Sequence, residues 1–192
     1  MKKKIFSAMT AFVVAGLLSG AYGQSAGGGI PVKTFKTKTG KTFSVQESHP
    51  QGQSLSDISV TLSGVPKADL KFKDAEPVNK VLMGDLDGNG FDELYITTVS
   101  AGSGSYGNIL GIASNKDKSL LQILVPPVEE NDMKPGGNFE GYEGHDTFAI
   151  EGNTLIRSFP VKGHKSATRK VSYLLKAGEA GFVLFVKSSS VK

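Results

Sequence analysis

The 192-residue chain contains no cysteine. Disulfides are therefore excluded as a source of stability, and so is a lipidated lipoprotein anchor, which is attached through a cysteine thiol. Burial of an apolar core, with or without a bound metal, has to hold the fold. An apolar run long enough to cross a bilayer is also missing. The stretch 5–18 is interrupted by Ser7 and Thr10 and falls short of the ~20 residues that a transmembrane helix needs. No basic stop-transfer cluster follows it. The segment instead has the layout of a cleavable export signal: Lys2, Lys3 and Lys4, then the apolar stretch, then the small-residue exit Ser19-Gly20-Ala21-Tyr22-Gly23. The expectation is a signal peptide over residues 1–23, cleaved after Ala21 or Gly23. The place of work is then the periplasm or the exterior of a bacterial cell.

Charge of one sign is scarce as well. Taking the three lysines of the export signal from the 22 basic residues leaves 19 against 18 acidic ones, a net +1. That balance gives no support to a nucleic-acid partner. Residues 24–31 read as a flexible, glycine-containing lead-in, and residues 32–192 as one domain with its own core. No window carries an amphipathic helix of about ten residues or more, and residues 119–124 are the one ambiguous case. No repeat of the length that marks a solenoid or a propeller occurs.

What is present is the punctuation of a β protein. Segments 32–37 and 41–47 flank the turn Thr39-Gly40. Ile58, Val60 and Leu62 alternate with Ser59 and Thr61, as in a strand with one buried face. Further strands are expected at 81–83, 94–99, 109–113 and 120–125, the last ended by Pro126-Pro127. Segments 147–150 and 154–159 are joined by Gly152-Asn153, and 171–175 and 182–186 by residues 177–181. Residues 131–144, with four glycines and a proline, form a long loop. The expected fold is all-β, a single antiparallel β-sandwich or distorted barrel.

The sharpest local pattern is Asp85-Leu86-Asp87-Gly88-Asn89-Gly90-Phe91-Asp92-Glu93. Oxygen ligands at alternate positions, followed by a glycine, let a chain wrap tightly around a hard cation. Asp85, Asp87 and Asn89 take positions 1, 3 and 5, the Phe91 carbonyl falls at 7 and Glu93 at 9. An EF-hand also needs a bidentate acid at position 12, where Ile96 stands, and both flanks here read as strands. The plain alternative is an Asp/Asn/Gly turn with solvated carboxylates. The stretch resembles the calcium loops between strands in integrin-type blade repeats. That resemblance implies a structural Ca2+ that staples two strands together, and since the motif occurs once it does not imply a propeller.

Directly after the strand at 94–99 comes Ser100-Ala101-Gly102-Ser103-Gly104-Ser105-Tyr106-Gly107. Gly102-x-Gly104-x-x-Gly107 has the spelling of a dinucleotide-binding turn. That motif needs a helix to follow, and residues 108–112 are strand-like. A hydrolase elbow needs glycine two residues either side of a serine, which neither Ser103 nor Ser105 has. A flexible hairpin tip is the plain reading. Tyr106 among small residues is also a good recognition element, giving contact area at little entropic cost while serine hydroxyls offer hydrogen bonds.

Ser103-Gly104-x-Tyr106 resembles the Ser-Gly-x-Tyr motif of the bacterial periplasmic inhibitors of invertebrate-type lysozyme, exported β-rich domains of similar size. The acidic loop and the stretch from Gly141 through His145 and Asp146 to Phe159 support the likeness more loosely. The resemblance implies that Ser103, Gly104 and Tyr106 enter a lysozyme cleft, where hydroxyls can bond the paired catalytic carboxyls without a covalent step. The expected partner is therefore a lysozyme, with the invertebrate type favoured, and the protein is not an enzyme. A homodimer is allowed by the sequence.

Other candidates carry less. His49, His145 and His164 lack metal-ligand spacing. His145-Asp146 has the composition of an oriented catalytic histidine, and the plainer reading is a histidine bonded within its loop. Lys162, Lys165, Arg169 and Lys170 form a basic turn, and residues 129–146 are acidic enough to steer a basic partner. Three functions result: a lysozyme inhibitor acting by loop insertion, a calcium-stabilised secreted module that binds a carbohydrate or a surface protein, and, least favoured because no catalytic constellation stands out, an envelope hydrolase.

Overall fold

The computed structural model describes residues 32–50, 54–164, 166–179 and 181–192. The expected export signal (1–23), the lead-in (24–31) and Lys165 lie outside the described residues. Among the described residues no helix is long and apolar enough to cross a membrane.

The chain folds as two β-sheets. The first has the order β1 (Val32–Lys36), β2 (Thr42–Ser48), β3 (Ser56–Leu62), β4 (Asp69–Ala75) and is antiparallel throughout. Period-two alternation sends Phe43 and Val45 of β2 and Ile58, Val60 and Leu62 of β3 to one face, where all five are buried. The pairs Phe43↔Leu62 and Val45↔Val60 lie directly opposite each other across the ladder, so their side chains pack as cross-strand neighbours.

The second sheet has eight strands. They are β5 (Val78–Gly84), β6 (Glu93–Val99), β7 (Gly107–Ser114), β8 (Leu120–Leu124), β9 (Thr147–Glu151), β10 (Thr154–Pro160), β11 (Thr168–Gly178) and β12 (Gly181–Val191). Their spatial order is β5-β6-β7-β8-β12-β11-β10-β9. The sheet curls until its outer strands meet: Lys80 Nζ of β5 lies 3.5 Å from the Phe148 carbonyl oxygen of β9, and Gly84 faces the Ile150 side chain. The result is a nearly closed, barrel-like sheet with the other sheet against its outside. One short helix, α1 (Glu130–Met133), precedes the long loop.

Two apolar clusters follow from this layering. Tyr95, Ile109, Ile123, Phe148, Leu155, Val171, Tyr173 and Leu184 fill the inside of the curled sheet. Phe43, Val45, Ile58 and Val60 of the four-stranded sheet pack with Leu94, Ile96 and Ile112 from the outer face of β6 and β7. Strand β6 serves both: Tyr95 points into one cluster and Leu94 and Ile96 into the other. Every residue from Glu93 to Thr98 is buried, which is why this strand shows no polar and apolar alternation.

The all-β sandwich or distorted barrel expected from the sequence is the observed architecture. Residues 119–124, the ambiguous case, are mostly strand β8, in line with the strand expected at 120–125. Two details differ. Strand β8 joins β12 in parallel through Phe182↔Ile123 and Val183↔Leu124, so the second sheet is not antiparallel throughout. Strand β4 was not expected, because Leu70 and Phe72 are interleaved with Asp69, Lys71, Lys73 and Asp74. It lies at a sheet edge, where charged outward residues discourage pairing with another chain.

Candidate functional site

The two loops singled out by the sequence lie at opposite ends of β6. The acidic loop enters it at Glu93, and the Gly–Ser loop leaves it after Val99.

In the acidic loop, Gly88 and Gly90 adopt positive φ and the chain coils back on its own carboxylates. Asn89 N donates to Asp87 Oδ1 (3.1 Å), Gly90 N to Asp85 Oδ2 (3.0 Å), and Phe91 N to Asn89 Oδ1 (2.8 Å). One carboxylate oxygen each from Asp85, Asp87 and Glu93 lies within 4.8 Å of the others. Asn89 is occupied within the loop, since its Nδ2 also donates to Asp87 Oδ2 at 2.8 Å. Asp92 turns the other way and accepts the Lys38 amide at 2.6 Å, while the Lys38 ammonium donates to Asp85 Oδ2 at 3.4 Å and lies 3.7 Å from Asp92 Oδ1. The loop is thereby fastened to the β1–β2 turn.

The cluster could hold a metal ion. Asp85 Oδ1 is buried and has no hydrogen-bond partner among the described residues, which is costly for a carboxylate oxygen unless a cation compensates. Burial, opposed by the Leu86 amide at 2.7 Å and reinforced by Asp87, Asp85 and Asp92, pushes the Glu93 carboxyl up to about 8. Burial and the Glu93 carboxylate likewise hold the Tyr95 phenol far above its ordinary range. An all-oxygen donor set of this kind suits a hard divalent cation.

At the other end, residues 100–106 form the β6–β7 loop. Its neck is closed by Ser100 N donating to the Tyr106 carbonyl (2.9 Å) and Tyr106 N donating to Ser100 Oγ (2.9 Å). Its tip turns through Ser105 N to the Gly102 carbonyl (3.0 Å). The Tyr106 ring lies over Gly104, where a Cβ would come within 2.4 Å of it. It is 51 % exposed and meets Tyr142 edge-on, with ring centroids 5.7 Å apart. Ser103, Gly104 and Tyr106 are thus presented together at the surface.

The loop does not stand alone. His145 N donates to the carbonyls of Gly104 (3.0 Å) and Ser105 (3.1 Å). At Gly144, φ is +87° and an added Cβ would fall 1.9 Å from the Gly104 oxygen, so glycine is required there on both counts. Ser103, Gly104 and Tyr106 share an open groove of about 700 Å³ with Glu143–His145, with Pro160 at the end of β10 and with Val161–His164 of the β10–β11 turn. Lys162 pairs with Glu143 at its rim.

Beneath the loop lies a polar cluster of which the sequence singles out only Asp146, as an acid beside His145. Asp146 Oδ2 accepts from Gly107 N (2.7 Å) and from the Tyr142 hydroxyl (2.6 Å), and Asp146 Oδ1 accepts from Arg157 Nε (2.6 Å). Arg157 also donates to the Gly107 carbonyl at 3.0 Å and to the Tyr142 oxygen. The two charged side chains are 0 % and 7 % exposed. The guanidinium lies over the rings of Phe139, Tyr142 and Phe148, 4.9 to 5.6 Å from their centroids. Burial opposes its charge, but the Asp146 hydrogen bond and charge more than restore it. Burial and the bond to Asp146 raise the Tyr142 phenol above its usual range. Asp146 therefore serves Arg157, Tyr142 and Gly107, and hydrogen bonds tie the backbone of His145 to the Gly–Ser loop. The available signal was Arg157 among Leu155, Ile156 and Phe159: an arginine inside an apolar strand needs a buried acid.

Part of the acidic segment is paired, two of its acids with the basic turn and one with β10. Glu140 meets Arg169, Glu143 meets Lys162, and Asp146 meets Arg157. No family model, curated protein or solved structure matches the chain.

Proposed function

We propose that the protein is an exported bacterial inhibitor of lysozyme, with the invertebrate type favoured, which blocks the active-site cleft by inserting the loop that carries Ser103, Gly104 and Tyr106. One observation carries the reading: a half-exposed tyrosine, close in sequence to serine hydroxyls, lies at the surface of a loop whose neck and base are fixed by hydrogen bonds. A pre-organised aromatic loses little freedom on binding. The chemistry is complementary too, because a glycosidase cleft presents two carboxyls and the loop offers hydroxyl donors. Binding by insertion needs no catalytic group, so the protein acts as an inhibitor and not as an enzyme. Periplasmic or secreted residence belongs to this reading and rests on the export pattern of residues 1–23. A structural Ca2+ at Asp85, Asp87 and Glu93, with Asn89 and the Phe91 carbonyl completing the sequence motif, staples β5 to β6.

The test mixes the mature protein with invertebrate-, chicken- and goose-type lysozymes and follows cell-wall lysis. Inhibition of the invertebrate enzyme is expected, and its loss in Ser103→Ala/Tyr106→Ala. No inhibition of any lysozyme at micromolar protein overturns the reading. The second reading is a calcium-stabilised module that binds a carbohydrate or surface protein, favoured by the open groove beside Tyr106. It would show as binding to a glycan array without inhibition.

A further inference from the structure

We infer that Asp146 and Arg157 are positioning residues for the Ser103–Tyr106 loop, holding Gly107, and through it Tyr106, in the pose that a partner cleft recognises. The inference rests on the reading of that loop as the inhibitory element.

Gly107 opens β7, opposite Val99 at the close of β6, so it sets where the loop re-enters the sheet. Both its backbone polar groups are taken by the buried pair, the amide by Asp146 and the carbonyl by Arg157. A Cβ at Gly107 would come within 2.7 Å of the Asp146 side chain, so the close approach depends on glycine. A second route runs through Tyr142. Its hydroxyl lies between Asp146 and Arg157, and its ring braces Tyr106 edge-on. The ion pair thus holds both the backbone on one side of Tyr106 and the ring against it.

Stability alone does not account for the pair. A buried ion pair is often no better than well-packed apolar side chains of equal volume, since desolvation cancels much of the attraction. What an apolar pair cannot do is orient a main-chain donor, a main-chain acceptor and a phenol at once. The guanidinium fork reaches three acceptors: Asp146 Oδ1, the Gly107 carbonyl and the Tyr142 oxygen. A lysine ammonium has neither the planarity nor the reach for that set.

The experiment combines two readouts on Asp146→Asn, Arg157→Lys and Tyr142→Phe in the full mature protein. Amide hydrogen exchange reports local order, and inhibition of invertebrate-type lysozyme reports function. In Asp146→Asn and Arg157→Lys, exchange at Gly107 and His145 should speed up by about tenfold or more while Tyr95 and Ile96 in β6 keep their protection. The inhibition constant should rise by about tenfold or more in the same variants. Tyr142→Phe removes a single hydroxyl and covers the case in which the charged variants do not fold; it should give the same local pattern at smaller amplitude. Unchanged exchange at Gly107 in folded variants overturns the inference, as does equal loss of protection throughout the chain. So does faster local exchange with an unchanged inhibition constant. If the parent protein inhibits no lysozyme, the inhibitor reading fails, and exchange at Gly107 still decides whether the pair orders the loop.

Discussion

Gly107 and Asp146, separated by 39 positions, meet through a 2.7 Å hydrogen bond from the glycine amide to a carboxylate oxygen. The bond ties the start of β7 to the end of the loop before β9, and Arg157 of β10 closes it from the far side. Three separate pieces of chain therefore share one buried charge cluster. The surface of the Ser103–Tyr106 loop follows from what lies beneath it.

Removing one member of that cluster strands the other. Arg157→Ala leaves the Asp146 carboxylate buried without its cation and should cost about 3–5 kcal/mol of folding stability. The double variant Asp146→Leu/Arg157→Met removes both charges and should regain a large part of that loss. Urea denaturation of the two proteins measures it directly. A double variant less stable than Arg157→Ala would show that the pair, through its charges and its hydrogen bonds to Gly107 and Tyr142, stabilises the fold.

Gly144 faces a different constraint, one of space. Its φ of +87° and the 1.9 Å approach of an added Cβ to the Gly104 oxygen both oppose a side chain. Gly144→Ala should cost about 1–3 kcal/mol through backbone strain and push the two loops apart, weakening inhibition. Gly102, with open space around it and no positive φ, is the control: Gly102→Ala should change stability by about 0.5 kcal/mol or less. Thermal melting of both, with inhibition assays beside them, compares the two sites.

How far the sequence revealed the molecule depended on how local each signal was. Ile58, Val60 and Leu62 announce β3 because alternation is read from adjacent residues, and Asp85 to Glu93 announce a cation loop because its ligands are consecutive. Leu70 and Phe72 alternate just as regularly, yet the charges of Asp69, Lys71 and Lys73 make β4 look like a loop. The placement of β8 beside β12 has no local marker, since it arises from how the eight strands close. For the same reason Tyr106 could be picked out within its own loop, while Asp146 and Arg157 could not be joined to it. Their partnership with Gly107 spans 39 and 50 positions.

Asp92 and Lys38 allow a backbone contact to be separated from a surface charge pair. The buried Asp92 carboxylate accepts the Lys38 amide at 2.6 Å, whereas the Lys38 side chain is 62 % exposed. Asp92→Ala leaves that amide without its acceptor and should cost about 1–3 kcal/mol. Lys38→Ala keeps the amide bond and loses the contacts of an exposed ammonium with Asp85 and Asp92, which should cost less than about 1 kcal/mol. Equal losses for the two variants in urea denaturation would mean that the ammonium, not the main chain, fastens the two sheets.

The separation of the two loops along β6 fixes what a cation can do. Seven residues of strand put the acidic cluster roughly 20 Å from the Ser103–Tyr106 loop. On the proposed reading, Ca2+ at Asp85, Asp87 and Glu93 would sit too far away to touch what the Ser103–Tyr106 loop binds, and would act by joining β5 to β6. Stabilisation should follow occupancy, reaching about 2.7 kcal/mol at a hundredfold excess over the dissociation constant. Calcium should raise the melting temperature of the parent protein and leave that of Asp85→Asn unchanged. Chelation should lower the melting temperature without altering inhibition at temperatures where the protein stays folded. A melting temperature indifferent to calcium would remove the staple, and inhibition that vanishes on chelation of a still-folded protein would place the ion in the binding surface instead.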